Sequence, residues 1–234
     1  MIAVTFALPA ESSGLVACLR DTEVTRSGNR EIIRGKIASH SVVILHTGVG
    51  RKSCEERIDD FLEMERPALL IGAGFAGSVR EVLPVGSLIL AENFSDPQLL
   101  REAQEILRNQ DVRIARLFTS SAIVDSIDER NEVARQKGAD AVEMEAEYIA
   151  QACVRRGVRM LSLRVVTDSL HNPFPAPPNV LFDIERQRTN PARLLFYLLR
   201  HPIAICRLVR FGRQVRGARE KLAKAIVDLV CKID

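Results

Sequence analysis

Three carboxylates in this chain, Glu11, Glu145 and Asp168, stand where they could do chemistry, and a fourth, Glu143, can support the turn beside them. Glu11 falls in the first turn of a helix expected to open at Ala10, just after Pro9. Glu143 and Glu145 flank Met144 in AVEMEA, where a short strand gives way to a helix. Asp168 closes LRVVTD, at the C-terminal end of an apolar strand, which is where α/β proteins bind ligands. A carboxylate can accept a proton, donate one once burial raises its pKa, or hold vicinal hydroxyls. Each also has a plainer use: helix-terminus charge for Glu11 and Glu145, a turn or helix cap for Asp168. Arg164 lies inside the same apolar strand, and a guanidinium there is costly to bury alone. A carboxylate or anion is therefore expected beside it.

Glycine is the other chemical signal. Gly72, Gly74 and Gly77 in IGAGFAGSV spell G-x-G-x-x-G after an apolar strand expected over residues 68–71. A dinucleotide site needs the third glycine to open a helix whose N-terminus holds the pyrophosphate. Here Pro84 and Gly86 cut the following stretch too short. The glycines instead suit a close approach of backbone to a small ligand at a strand end.

These residues need a scaffold, and the chain can supply one. It has 234 residues, 47% of them hydrophobic, which is enough for a full core. Net charge is only +3, so the protein as a whole is not strongly polarised. The five cysteines form no C-x-x-C pair and no cluster with histidine, so neither a zinc site nor a disulfide framework is expected. The N-terminus has no basic n-region and reads as a strand, no apolar run reaches membrane-span length, and the expected setting is the cytoplasm.

Short apolar strands are expected near residues 2–8, 31–36, 41–46, 68–71, 87–91, 112–118, 141–143 and 159–166. Helices are expected near 10–19, 51–64, 97–108, 128–137 and 145–156. This alternation predicts an α/β fold with a mixed, largely parallel central sheet between two helical layers. The segment NPFPAPPN cannot be regular structure. The expected organisation is an α/β domain over residues 1–171, a proline-rich loop over 172–190, and a basic amphipathic helical tail over 191–234, packed on or extending the domain.

Several motifs together resemble the nucleoside phosphorylase and nucleosidase superfamily, especially its methylthioadenosine/S-adenosylhomocysteine nucleosidase branch. AVEMEAEYIAQAC (141–153) is the most specific; LPAES (8–12), HTGVGRKSC (46–54), IGAGFAGSV (71–79) and LRVVTDS (163–169) follow the family order. The resemblance implies a nucleoside phosphorylase-like fold, a purine nucleoside substrate, no metal and no organic cofactor. It implies that Asp168 protonates the leaving purine and Glu11 activates a water that Arg164 helps to hold. It further implies that Glu145 grips the ribose hydroxyls and Met144 packs under the sugar, with Val142 and Glu143 beside them. Gly74, Phe75 and Ala76 would border the nucleophile, Ala122, Ile123 and Val124 would frame the base, and Gly48 would belong to an anion site if phosphate were the nucleophile.

Three departures qualify this. Phe75 stands where the family has a serine that contacts water or phosphate. Ser120, Ser121 and Ile123 replace a Gly-Asp pair and a base-stacking phenylalanine. The stretch between Asn93 and Arg113 is shorter than the family's, which leaves the 5′ side of the site open.

The expected activity is hydrolysis of the N-ribosidic bond of a 5′-substituted purine nucleoside, adenine being the expected base. A phosphate-dependent phosphorylase and a non-catalytic, membrane-associated nucleoside-binding protein are the alternatives. Between Arg193 and Lys224 the tail carries nine basic residues and one acid, Glu220. Leu208, Phe211, Val215, Leu222, Ile226 and Leu229 share one arc of it. Such a helix can pack on the body or on a second subunit of a homo-oligomer, or meet anionic lipid at the inner face of the membrane. Nucleic acid is not expected, because no aromatic stacking pattern accompanies the charge.

Overall fold

Ile2–Phe6 (β1) is buried at every position, so it belongs in the middle of a sheet. The computed structural model describes residues 1–27, 30–177 and 203–233, with single positions 180, 194, 196, 197, 200 and 201. Much of the proline-rich loop and the first part of the expected tail, including Arg193, lie outside the described residues. After β1 come α1 (Pro9–Val16), β2 (Arg20–Ser27), β3 (Arg30–Ile37), β4 (His40–His46), α2 (Arg51–Glu65) and β5 (Leu69–Ser78). Then follow β6 (Leu88–Ala91), α3 (Pro97–Ile106), β7 (Val112–Ala115), β8 (Leu117–Thr119), α4 (Ile127–Lys137), β9 (Ala141–Glu143), α5 (Ala146–Arg156), β10 (Arg159–Asp168) and α6 (Ile203–Lys232).

The sheet runs β2-β3-β4-β1-β5-β10-β6-β7, with β9 on the end of β5 and β8 on β9. β4, β1, β5 and β10 are mutually parallel, so their C-terminal ends share one edge. The outer β2–β3 pair, the β6–β10 pair and the β5–β9 pair are antiparallel, which makes the sheet mixed.

Alternation along the strands fills both faces. Ile2, Val4 and Phe6 pack with Leu161, Leu163 and Val165 against α1, α3 and α6. Ala3, Val43, Leu45 and Leu70 pack against α2 and α5. The fold is thus three layers, α/β/α. The second half of α6 is part of the main core: Leu222, Ile226 and Leu229 are fully buried, and each such side chain contributes about 1.5–3 kcal/mol.

The structure departs from the sequence expectation in three places. β5 continues through the glycines to Ser78 rather than stopping at Ile71, because β10 pairs with it as far as Gly77 and β9 takes up Gly77 and Ser78. The strand expected over 112–118 breaks at Arg116, since β7 pairs with β6 while β8 pairs with β9. The polar segment RDTEVTRS forms an edge strand, β2, that has no apolar alternation to announce it.

Candidate active site

A cavity of about 300 Å³ opens where the parallel strands end. Its walls come from the turn after β1 (Ala7, Leu8), Glu11 of α1, Val49 after β4, the end of β5, the 122–124 loop, the β9–α5 turn, and Thr167–Asp168 of β10. Phe174, Phe211 and Val215 complete it.

Glu11 is placed by its own helix start. Its Oε2 accepts the Leu8 N–H at 3.0 Å and its Oε1 accepts the Phe75 N–H at 3.0 Å. Burial raises its carboxyl above the ordinary range, against those two amides and the charge of Arg164. Gly74 lies directly beneath it, where a β-carbon would stand 3.3 Å from Glu11 Oε1.

Asp168 owes its aim to an irregularity. Val166 pairs with Ala76 and Asp168 with Gly77, so Thr167 is an extra residue in β10. Bulges of this kind re-aim side chains beside functional sites. Thr167 Oγ1 donates to Asp168 Oδ1 at 3.0 Å, and the Arg130 guanidinium bonds Oδ2. Burial pushes the Asp168 carboxyl up, and Arg130 pulls it back.

Glu145 opens α5. It accepts the Gly50 N–H at 2.7 Å. Burial, reinforced by the Glu143 charge, pushes its carboxyl up to about 8 despite that bond. Glu143 lines the same wall, but four donors engage its oxygens: Thr119 Oγ1 at 2.5 Å, the Glu145 and Ala146 amides at 2.9 and 2.7 Å, and Arg164 Nη2 at 3.2 Å. It fixes the start of α5 and supplies the carboxylate partner that Arg164 requires.

The cavity thus brings together Glu11, Phe75, Ala76, Ala122, Ile123, Val124, Val142, Glu143, Met144, Glu145 and Asp168. Three expected site residues do not line it. Arg164 is buried beneath, bonded to Glu143 and to the carbonyls of Gly72 and Leu163, so it acts on the site through charge rather than by touching its contents. Gly74 supports Glu11 from below. Gly48 donates its amide to the Ala7 carbonyl at 3.0 Å, and Gly50 gives its own to Glu145, so neither amide is open to an anion. On the 122–124 loop, the Ala122 amide is bonded to Ser120 Oγ at 3.2 Å.

The sequence reading missed Arg130, Phe174, Phe211 and Val215. For Phe211 and Val215 the apolar arc of α6 was the available signal; its first part lines the cavity and its second part enters the core. Phe174 stacks edge-on against Phe211 at 5.7 Å. Nothing in the polar sequence of α4 singles out Arg130.

A family model described as the phosphorylase superfamily matches residues 1–96 and 91–200. The 5′-methylthioadenosine/S-adenosylhomocysteine nucleosidase of Staphylococcus haemolyticus is 26% identical over 196 residues, covering 72% of this chain and 86% of its own length. That of Haemophilus influenzae is 26% identical over 195 residues, covering 71% and 85%. Among solved structures, the corresponding nucleosidase from S. pneumoniae, bound to a transition-state inhibitor, superposes with a TM-score of 0.76 at 20% identity, covering 100% of this chain and 99% of that one. A futalosine hydrolase mutant of Helicobacter pylori gives 0.76 at 15% identity, with 99% of each chain covered. At these identities the solved structures show a shared fold.

Proposed function

Because this chain belongs to the phosphorylase superfamily, we propose that it hydrolyses the N-ribosidic bond of a 5′-substituted purine nucleoside, with adenine as the base. The 5′-methylthioadenosine/S-adenosylhomocysteine nucleosidases among its relatives support that choice of base. One observation carries the choice of water over phosphate. Among the described residues, the cavity lining holds Glu11, Glu143, Glu145 and Asp168 and no lysine, arginine or histidine. A phosphate dianion would face carboxylates without a cation in contact, whereas a ribosyl oxocarbenium ion is the charge that carboxylates stabilise.

The roles follow from geometry and proton affinity. Asp168, on the wall shared with Ala76, Gly77 and the 122–124 loop, gives its proton to N7 of the purine as the C1′–N9 bond breaks. Water attacks C1′ and loses a proton to Glu11, which burial makes a stronger base than a surface glutamate. Glu145 takes the ribose 2′- and 3′-hydroxyls; two hydroxyl donors favour its ionised form as positive charge grows on the sugar. Met144 packs beneath the ring, and Phe75 contributes its backbone amide to Glu11 rather than a side-chain contact to the nucleophile.

Base release from methylthioadenosine, S-adenosylhomocysteine, adenosine and inosine, followed by chromatography with and without phosphate, tests this. Free base at the same rate in both conditions is expected. Release only with phosphate would overturn the reading, and release from none of the four would point to a nucleoside with a larger 5′ substituent or to a pocket that only binds.

We infer further that the protein works in the cytoplasm as a homo-oligomer and that the first half of α6 meets anionic lipid at the inner face of the membrane. Among the described residues no helix is long and apolar enough to cross a membrane. Yet Ile205 and Val209 are 48% and 50% exposed beside the exposed Arg207 and Arg210. Apolar side chains interleaved with arginines suit an interfacial helix.

A further inference from the structure

Arg130 is the most deeply buried charged side chain among the described residues, at 0% exposure. It is also the single buried residue of α4, whose Val133 and Ala134 are half-buried against Val79, Ala139 and Val142 and whose other side chains are exposed. A leucine would fill such a space without the desolvation cost of a charge. What the guanidinium does instead is join three walls. Its Nη1 donates to the Ser78 carbonyl at the end of β5 at 2.8 Å, and Nη2 bonds Asp168 at the end of β10. Its Nε reaches the Asp125 carbonyl at 3.4 Å, at the end of the loop that carries Ala122, Ile123 and Val124. Only a planar fork of donors makes all three contacts at once.

We propose that Arg130 is a positioning residue for the proton donor: it aims Asp168 at the purine and sets the pH range over which Asp168 can deliver its proton. This rests on the reading of Asp168 as the acid. When the C1′–N9 bond breaks, the bonding electrons leave with the purine and the Asp168 proton moves to N7. The carboxylate left behind forms beside a guanidinium already in place, while water supplies hydroxyl to C1′ and a proton to Glu11. Solvent reprotonates Asp168 before the next turnover. Arg130 therefore favours the state that follows transfer and restricts, at high pH, the state that precedes it.

The groups that face Asp168 are Arg130 from α4, Thr167 from its own strand, and Gly77 from β5, with the Asp125 charge opposing Arg130 from the turn before α4. α6 reaches this end of β10 through the neutral Gln214, bonded to the Thr167 carbonyl at 2.6 Å. Glu11, Glu143 and Glu145 stand on other walls of the same cavity.

The test is the pH profile of kcat/KM with methylthioadenosine for the wild type, Arg130→Gln, Arg130→Lys and Asp168→Asn. The wild-type rate should fall at high pH as Asp168 loses its proton. Arg130→Gln removes an adjacent opposite charge, so its alkaline limb should move up by about 1–3 pH units. Arg130→Lys keeps the charge but not the fork. Its limb should stay near the wild-type position while kcat drops about 10- to 100-fold at little-changed KM. An unmoved limb in a folded Arg130→Gln, with Asp168→Asn inactive, overturns this inference and leaves the proposed reaction standing. Should Arg130→Gln fail to fold, Arg130→Lys decides: wild-type kcat there overturns the positioning role. Full activity in Asp168→Asn overturns the acid assignment itself, and this inference with it.

Discussion

Replacing Gly77 with alanine tests whether the glycines of β5 exist to seat carboxylates. A β-carbon at position 77 would stand 2.7 Å from Asp168 Oδ2 and 3.1 Å from Arg130 Nη1, against the 3.4 Å at which ordinary contact begins. Asp168 would have to retreat by about 0.7 Å, and it is held by Arg130 on one oxygen and Thr167 on the other. Gly74→Ala asks Glu11 Oε1 to move by only about 0.1 Å from a 3.3 Å contact. Gly72→Ala meets Met160 Cε at 2.7 Å, the free end of a flexible side chain. None of the three has positive φ, and alanine in a strand recovers about 0.5–1 kcal/mol of backbone entropy. A misplacement approaching 1 Å at a reacting group costs about 10²-fold. Gly77→Ala should therefore lose about 10- to 100-fold in kcat, Gly74→Ala a few-fold, and Gly72→Ala little, each with a melting temperature close to wild type. Steady-state base release and a thermal melt on each variant give the comparison. Wild-type turnover in Gly77→Ala, or equal damage in Gly72→Ala, would refute the argument.

Glu11→Gln removes the proposed base and keeps an acceptor for only one of the Leu8 and Phe75 amides, so kcat should fall by about 10²–10⁴ with substrate binding retained, read by turnover and by calorimetric titration of adenine. The Glu145 carboxyl is pushed from 4.5 up to about 8, so the folded protein holds its proton where the unfolded chain has lost it. Its contribution to stability is greatest below about 4.5, declines as pH rises, and levels off above about 8. Relative to wild type, Glu145→Gln should gain melting temperature as pH is raised from 5 to 8; parallel melting curves across that range would count against the burial of this carboxyl. Arg207→Glu with Arg210→Glu should abolish co-sedimentation with phosphatidylglycerol vesicles without changing turnover, and wild-type binding should weaken in salt. Binding that survives the double reversal would exclude α6 as the lipid contact.

The short apolar strands alternating with helices were legible as a three-layer α/β/α fold, because burial on both sides of a central sheet leaves a continuous apolar run on each strand. The edge strand β2 left no such mark, since neither of its faces is covered. Glu11, Glu145 and Asp168 were legible one by one from strand ends and helix starts, and their joint meaning came from the VEMEA-type resemblance. The need of Arg164 for a carboxylate followed from the cost of burying a charge, but its identity as Glu143 required β9 and β10 to be brought together. What the chain alone could not convey depends on distances between segments far apart in it. Gly77 and Asp168 are paired across two strands, Arg130 crosses from a mostly exposed helix to that pair, and Phe211 arrives from the far end of the chain. Local patterning determined the layers and the ends of strands at which chemistry could occur. Only tertiary structure decided which charges share a low-dielectric space, and therefore which carboxyls burial pushes above their ordinary range.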